Sequence, residues 1–208
     1  ASSAASDVYK RQAINNPLTF DDISDESILA EKKKVVLACS RMDEYQKRIS
    51  LVLKAWRKLQ SYRESEGWTL KILGTGPDLE RYKTYVCNHN IQHVIFEGQQ
   101  SPEPYFREAE IFLMTSTGIE GWGLTLTESL QRGVVPVVMN TCSVYSEIIQ
   151  DGYNGFLTKG SDLEDFIQHT LYLFGNENYL RAMQKGALDS AHCFTLDETM
   201  DKWHEIIN

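Results

Sequence analysis

The sequence is poor in the features that assign a protein quickly. Its four cysteines, Cys39, Cys87, Cys142 and Cys193, lie far apart and form no CxxC pair. That spacing excludes a disulfide framework or a zinc ribbon and reads as reduced, mostly packed thiols. The histidines, His89, His93, His169, His192 and His204, do not cluster and lack metal-ligand spacing, so no metal is expected. No apolar run approaches the ~18–20 residues of a membrane span, and no signal-peptide pattern opens the chain. The expected location is cytoplasmic. Positive charge is also short: 21 Lys and Arg against 29 Asp and Glu give a formal net charge of -8. A nucleic-acid footprint needs the opposite balance, so no nucleic-acid partner is expected. A polyanion could be held only by a local basic pocket.

What is present suffices for one sizeable core: 208 residues, 42% hydrophobic and 11% aromatic, against about 100–200 residues per domain. Residues 1–12 carry no apolar periodicity and are set aside as a non-native or disordered tail. Residues 13–33 read as a linker or lead-in, and 34–208 as the folded domain.

From Lys34 onward, short β-rich runs alternate with amphipathic stretches. Strands are predicted at 35–39, 70–73, 93–96, 111–114, 134–139 and 155–158. Helices are predicted at 49–62, from Pro77 to about 88–90, and at 102–109, 124–131, 143–150, 163–174, 178–192 and 196–207. Ser161 with Glu164 fits a capping box for the 163–174 helix. Trp56, Trp68 and Trp203 read as core anchors. The alternation predicts an α/β fold: a Rossmann-like doubly wound parallel sheet of about six strands, helices on both faces, and extra C-terminal helices. Such sheets bind ligands beyond the carboxyl ends of their strands, where helix amino termini offer unpaired N–H groups.

The unusual residues fall in those loops. After the first strand, Arg41 leaves the strand end and Lys47 enters at the start of a helix. A cation there opposes the helix dipole by ~0.3–1 kcal/mol, which makes sense if an anion sits between the cations and the helix. The alternative is a solvated cluster offset by Asp43 and Glu44. After the second strand, Gly74-Thr75-Gly76-Pro77 lets backbone approach a ligand or simply makes a tight turn; it lacks both the third glycine of GxGxxG and a Walker lysine. After the fourth strand, Glu120 precedes Gly121-Trp122-Gly123, and Glu128 follows more than a turn into the next helix. A carboxylate on the helix suits a vicinal diol, and one in the loop suits sugar hydroxyls. Alternatively, one complements the helix dipole and the other is a surface acid. Trp122, inside the glycine turn, could cover a ligand.

Together these loops resemble the carboxyl-terminal domain of glycosyltransferase family 4, retaining enzymes of the two-Rossmann-domain GT-B type. The likeness runs from about Asn16 to the C-terminus. Arg41…Lys47 matches the family's donor-diphosphate cations, 74–77 its glycine loop, and Glu120 with Glu128 its E-x7-E motif. The first motif begins Ser40-Arg41 where the family commonly has Gly-Arg.

The resemblance implies that Arg41, Lys47 and Glu120 act at the reacting centre, with the two cations neutralising a diphosphate leaving group. Gly74, Gly76, Gln99, Gly121, Trp122, Gly123, Leu124, Thr125 and Glu128 would bind the donor, Glu128 holding the ribose diol. It also implies a nucleotide-sugar donor as substrate, no cofactor and no metal. The further partners implied are an amino-terminal Rossmann domain of the same enzyme and a sugar or lipid-linked acceptor, with the whole enzyme able to sit at a membrane surface. Without the amino-terminal domain the chain is expected to transfer no sugar. A nucleotide-sugar 2-epimerase half and a non-enzymatic Rossmann-like binding module are the competing readings.

Overall fold

A computed structural model describes residues 16–118 and 121–207. Six strands form one sheet in the order β3-β2-β1-β4-β5-β6, and every pairing is parallel. The strands are β1 (Val35–Cys39), β2 (Thr69–Leu73), β3 (Val94–Gly98), β4 (Ile111–Met114), β5 (Val135–Val138) and β6 (Phe156–Leu157). The helices are α1 (Ile49–Leu59), α2 (Leu79–Asn88), α3 (Glu103–Glu108), α4 (Leu124–Gln131), α5 (Tyr145–Ile148), α6 (Leu163–Gly175), α7 (Glu177–Ala191) and α8 (Leu196–Ile207). This is the doubly wound α/β sheet that the alternation predicts. Among the described residues, no helix is long and apolar enough to cross a membrane.

The inner strands are continuous apolar runs because both of their faces are covered. Val36, Leu37, Ala38, Ile111, Val135 and Val137 are all buried. On one face α1 buries Ile49, Val52, Leu53, Trp56 and Leu59 and turns Lys54, Arg57 and Lys58 outward. Trp56 and Trp68 both meet Phe174, the latter stacked at 4.3 Å. On the other face, Leu126 and Leu130 of α4 and Ala187 and Ala191 of α7 pack on Leu37, Phe112 and Val138.

The lead-in is packed against this second face. Leu18, Phe20 and Ile23 lie on it, and a 3-10 turn over Glu26–Ala30 buries Ile28 and Leu29. Full burial of each such side chain contributes about 1.5–3 kcal/mol. Gln131 donates to the Phe20 and Asp22 carbonyls at 3.0 and 3.1 Å. Arg132, 1% exposed, pairs with Asp22 and Glu103 and lies 4.7 Å from the Phe20 ring centroid.

Several local expectations need correction. Trp203 is 46% exposed and anchors no core; α8 exposes Leu196 and Met200 as well. Cys87 and Cys193 are exposed, not packed; all four cysteines are free thiols. Ser161 caps nothing on α6. Asp162 is the N-cap, its carboxylate accepting from the Glu164 and Asp165 N–H groups. Helix α1 stops at Leu59, and the chain turns through Gln60–Tyr62 into a 3-10 turn at Arg63–Ser65.

Candidate functional site

Where the strand order reverses, between β1 and β4, the loops at the carboxyl ends of the strands open a cleft with two lobes. The larger, about 510 Å³, lies between the loops after β1, β2 and β3 and is walled by Arg41, Gly74–Pro77, Gln99 and Gln100. The smaller, about 290 Å³, lies between the loops after β1 and β4 and is walled by Arg41, Lys47, Thr115 and Ser116. Cys39, Ser40, Arg41 and Thr125 line both lobes. Thus Arg41, Lys47, Gly74, Gly76, Gln99 and Thr125, chosen from sequence, converge on one cleft although they span 84 positions (125 minus 41) of the chain.

The two glycines of the β2 loop, read from sequence as allowing ligand approach or making a tight turn, have a further physical cause in the packing of the loops. A Cβ on Gly74 would stand 1.9 Å from the Ser40 carbonyl oxygen, and one on Gly76 would stand 2.5 Å from that of Met42. The loops after β1 and β2 are therefore pressed together, with Met42 N–H donating to Thr75 O at 2.9 Å and Asp78 N–H to Met42 O at 3.1 Å. The close contact brings Arg41 and the glycine turn to line the same lobe.

Helix α4 starts at the cleft. Gly123 has φ 84, a left-handed conformation suited to glycine, and among the described residues no side chain caps the helix. No acidic residue lies in its first turn. Its first N–H groups and partial positive charge therefore face the lobes at Thr125. Leu124 is exposed at this start, and a side chain on Gly121 would meet open space.

The β1–α1 loop is held in shape by its own acids. Asp43 accepts from the Tyr45 N–H at 3.1 Å. Glu44 accepts from the Ser50 hydroxyl and from Tyr82 Oη at 2.9 Å, and Asp78 accepts from the Glu44 N–H at 2.8 Å. Burial and the Glu44 carboxylate push the Tyr82 phenol well above its usual range. Arg48 ends the loop with φ 50, a left-handed conformation costing an L-residue about 1–2 kcal/mol. Its guanidinium donates to the carbonyls of Thr115 and Ser116 and to the Ser161 hydroxyl at 2.8, 3.0 and 3.1 Å. Burial draws its pKa down, and Glu44 opposes that.

Two expected residues sit differently. Trp122 is 8% exposed, packs edge-on to Phe194 and belongs to the core cluster of Leu126 and Tyr145. It does not line either lobe as described, and its ring is packed in the core. Glu128 is 6% exposed, and burial raises its carboxyl pKa while the Thr19 hydroxyl counters the shift. It lies within electrostatic reach of Cys39 on the cleft floor, whose thiol is pushed up to about 12, chiefly by burial and then by Glu128. Cys39 therefore stays protonated and is no nucleophile. Glu120 lies outside the described residues.

Sequence reasoning did not select Gln100, Thr115, Ser116 or Arg48. The polar run Thr115-Ser116-Thr117 directly after an apolar strand was a usable signal for two of them. Chemically, the cleft offers two cations, an uncapped helix terminus and backbone-lined walls. It can bind and stabilise an anion about the size of a diphosphate, and Cys39, its one thiol among the described residues, is inert.

A family model described as glycosyl transferases group 1 matches residues 19–189. The chain is 26% identical over 196 residues to the UDP-N-acetylglucosamine–peptide N-acetylglucosaminyltransferase GtfA subunit of Streptococcus pneumoniae, covering 91% of this chain and 38% of that one. It is 25% identical over 197 residues to the poly(glycerol-phosphate) alpha-glucosyltransferase of Bacillus subtilis, covering 92% and 28%. The solved pneumococcal O-GlcNAc transferase GtfA, in complex with UDP and GlcNAc, superposes with a TM-score of 0.76 at 24% identity. That match covers 94% of this chain and 38% of that one. At that identity the likeness speaks for the fold. The chain spans well under half the length of these relatives.

Proposed function

The chain belongs to the glycosyl transferases group 1 family, and from that premise we propose that it is the donor-binding half of a retaining, family 4 hexosyltransferase. Its substrate is a nucleotide-diphosphate sugar, and its product a polysaccharide or glycoconjugate. The observation that carries the reading is the meeting of Arg41, Lys47 and the uncapped amino end of α4 around one cleft. These are three sources of positive charge on an acidic chain, placed where a departing diphosphate would gather negative charge.

In this reading Arg41 grips the diphosphate with a planar fork and Lys47 with a point charge. The N–H groups of Gly123, Leu124 and Thr125 complete the anion site, and the larger lobe takes the nucleoside, with Gln99 and Gly74–Gly76 beside the base. Glu128 accepts hydrogen bonds from the ribose diol. Its burial strengthens those bonds, since a drier carboxylate competes less with water. Glu120 contacts hydroxyls of the donor sugar, with Gly121 leaving room for it. Stabilising charge on the leaving group is then the protein's main contribution, and two cations supply it without a metal.

The acceptor, a sugar or a lipid-linked sugar, binds a second, amino-terminal Rossmann-like domain that closes over the donor at the cytoplasmic side of a membrane. The 208-residue chain alone holds donor and transfers nothing. Titration calorimetry with UDP, GDP and ADP tests the reading: at least one should bind with a Kd of millimolar or tighter, about -4 kcal/mol. A folded chain that binds none of the three at millimolar concentration contradicts it.

A further inference from the structure

We propose that Arg48 is a positioning residue that sets the gap between Lys47 and the loop after β4, and thereby the fit of the cleft to a diphosphate. The inference rests on the donor-site reading above. Arg48 holds a backbone conformation that disfavours any side chain, so its side chain must offset that strain. Its three hydrogen bonds go to uncharged acceptors: two successive carbonyls of the β4 loop, Thr115 and Ser116, and the Ser161 hydroxyl beyond β6. Among the described residues no carboxylate accepts a hydrogen bond from this guanidinium. Its planar fork spans two loops at fixed spacing.

The clamp is reciprocal. Thr115 Oγ1 lies 2.9 Å from the Lys47 carbonyl and 3.1 Å from that of Arg48, and Thr117 N–H donates to Gln46 O at 2.8 Å. The same Ser116 carbonyl also accepts from Thr141 Oγ1 at 2.7 Å. Loops following β1, β4, β5 and β6 thus meet at one point. The Lys47 carbonyl is one of the groups bonded there, and Thr115–Thr117 precede Glu120 in the chain. Lysine carries its three donors on one nitrogen and lacks the planar fork that reaches acceptors on separate loops.

The test uses the 208-residue chain, whichever of UDP, GDP or ADP binds it best, and the matching monophosphate. Each ligand is titrated into wild type, Arg48→Ala, Arg48→Gly and Arg48→Lys, and each protein is melted. The glycine variant relieves the left-handed strain while removing the clamp, so it separates the two roles. Arg48→Ala and Arg48→Gly should each lose roughly tenfold or more in affinity for the diphosphate, on the scale of losing bonds to a charged group. The monophosphate should weaken several-fold less, and Arg48→Lys should recover only part of the loss. A glycine variant that binds the diphosphate as tightly as wild type overturns the proposal. So does a parallel loss for diphosphate and monophosphate that tracks the drop in melting temperature. If wild type binds no nucleotide, the donor-site reading falls and this inference with it; if only the variants match wild type, this inference falls alone.

Discussion

At its amino end α4 begins on a left-handed glycine, carries no cap and presents an exposed Leu124 and the cleft-lining Thr125. At its carboxyl end, about two turns on, Leu130, Gln131 and Arg132 are buried. There the helix is tied off by long-range bonds: Gln131 and Arg132 hold residues 20–22, and Lys32 Nζ donates to Phe106 O at 2.8 Å and to the Arg132 carbonyl. Eight residues therefore join a terminus whose first N–H groups lie at the cleft to a terminus whose last backbone carbonyls are paired. An unsatisfied N–H group in a dry site costs free energy, so the open terminus is tolerable where an anion or water can reach it.

The largest test of this division is Arg132→Ala. It removes a buried guanidinium with two carboxylate partners and a ring beneath it, and should cost about 3 kcal/mol in urea unfolding. Nucleotide affinity of the protein that remains folded should stay within a factor of two of wild type. An affinity that fell with stability would show that the two ends do not act separately.

A smaller effect of opposite sign is expected at Glu128. Its folded pKa is raised by burial, so the folded state favours the protonated carboxyl. The charged form therefore disfavours folding once pH exceeds the unfolded value near 4.5. Glu128→Gln should melt above wild type at pH 7, and the gap should close as pH falls through the carboxyl range, where wild type is also neutral. The same variant should bind nucleotide about tenfold or more weakly, since hydrogen bonds to a charged group are worth about 1.5–3 kcal/mol. A variant less stable than wild type at pH 7 would remove the premise that Glu128 is retained against stability.

Much of the scaffold was legible in sequence because its signals are local. The run Val35–Cys39 can be little other than a strand covered on both faces, and α4 starts at the residue after its glycine turn. Arg41, Lys47 and the β2-loop glycines were legible because doubly wound sheets place loops after strands at one rim. What escaped depends on contacts distant in sequence. Arg48 meets Thr115 across 67 positions and Ser161 across 113, and its left-handed backbone has no signature in an arginine side chain. The burial of Trp122 and the exposure of Trp203 escaped for a related reason. Whether an aromatic ring is buried depends on what packs over it: Phe194 lies against Trp122, while the apolar side chains of α8 around Trp203 stay exposed.

The most direct test of the central claim is to follow every backbone amide by NMR while UDP, or GDP or ADP if it binds better, is titrated into the 208-residue chain. Shifts should concentrate on Arg41, Gly74, Gly76, Gly123 and Thr125 and leave Lys32, Gln131 and Arg132 in place. Saturating shifts at the carboxyl end of α4, or a folded spectrum that no nucleotide perturbs, would contradict the account.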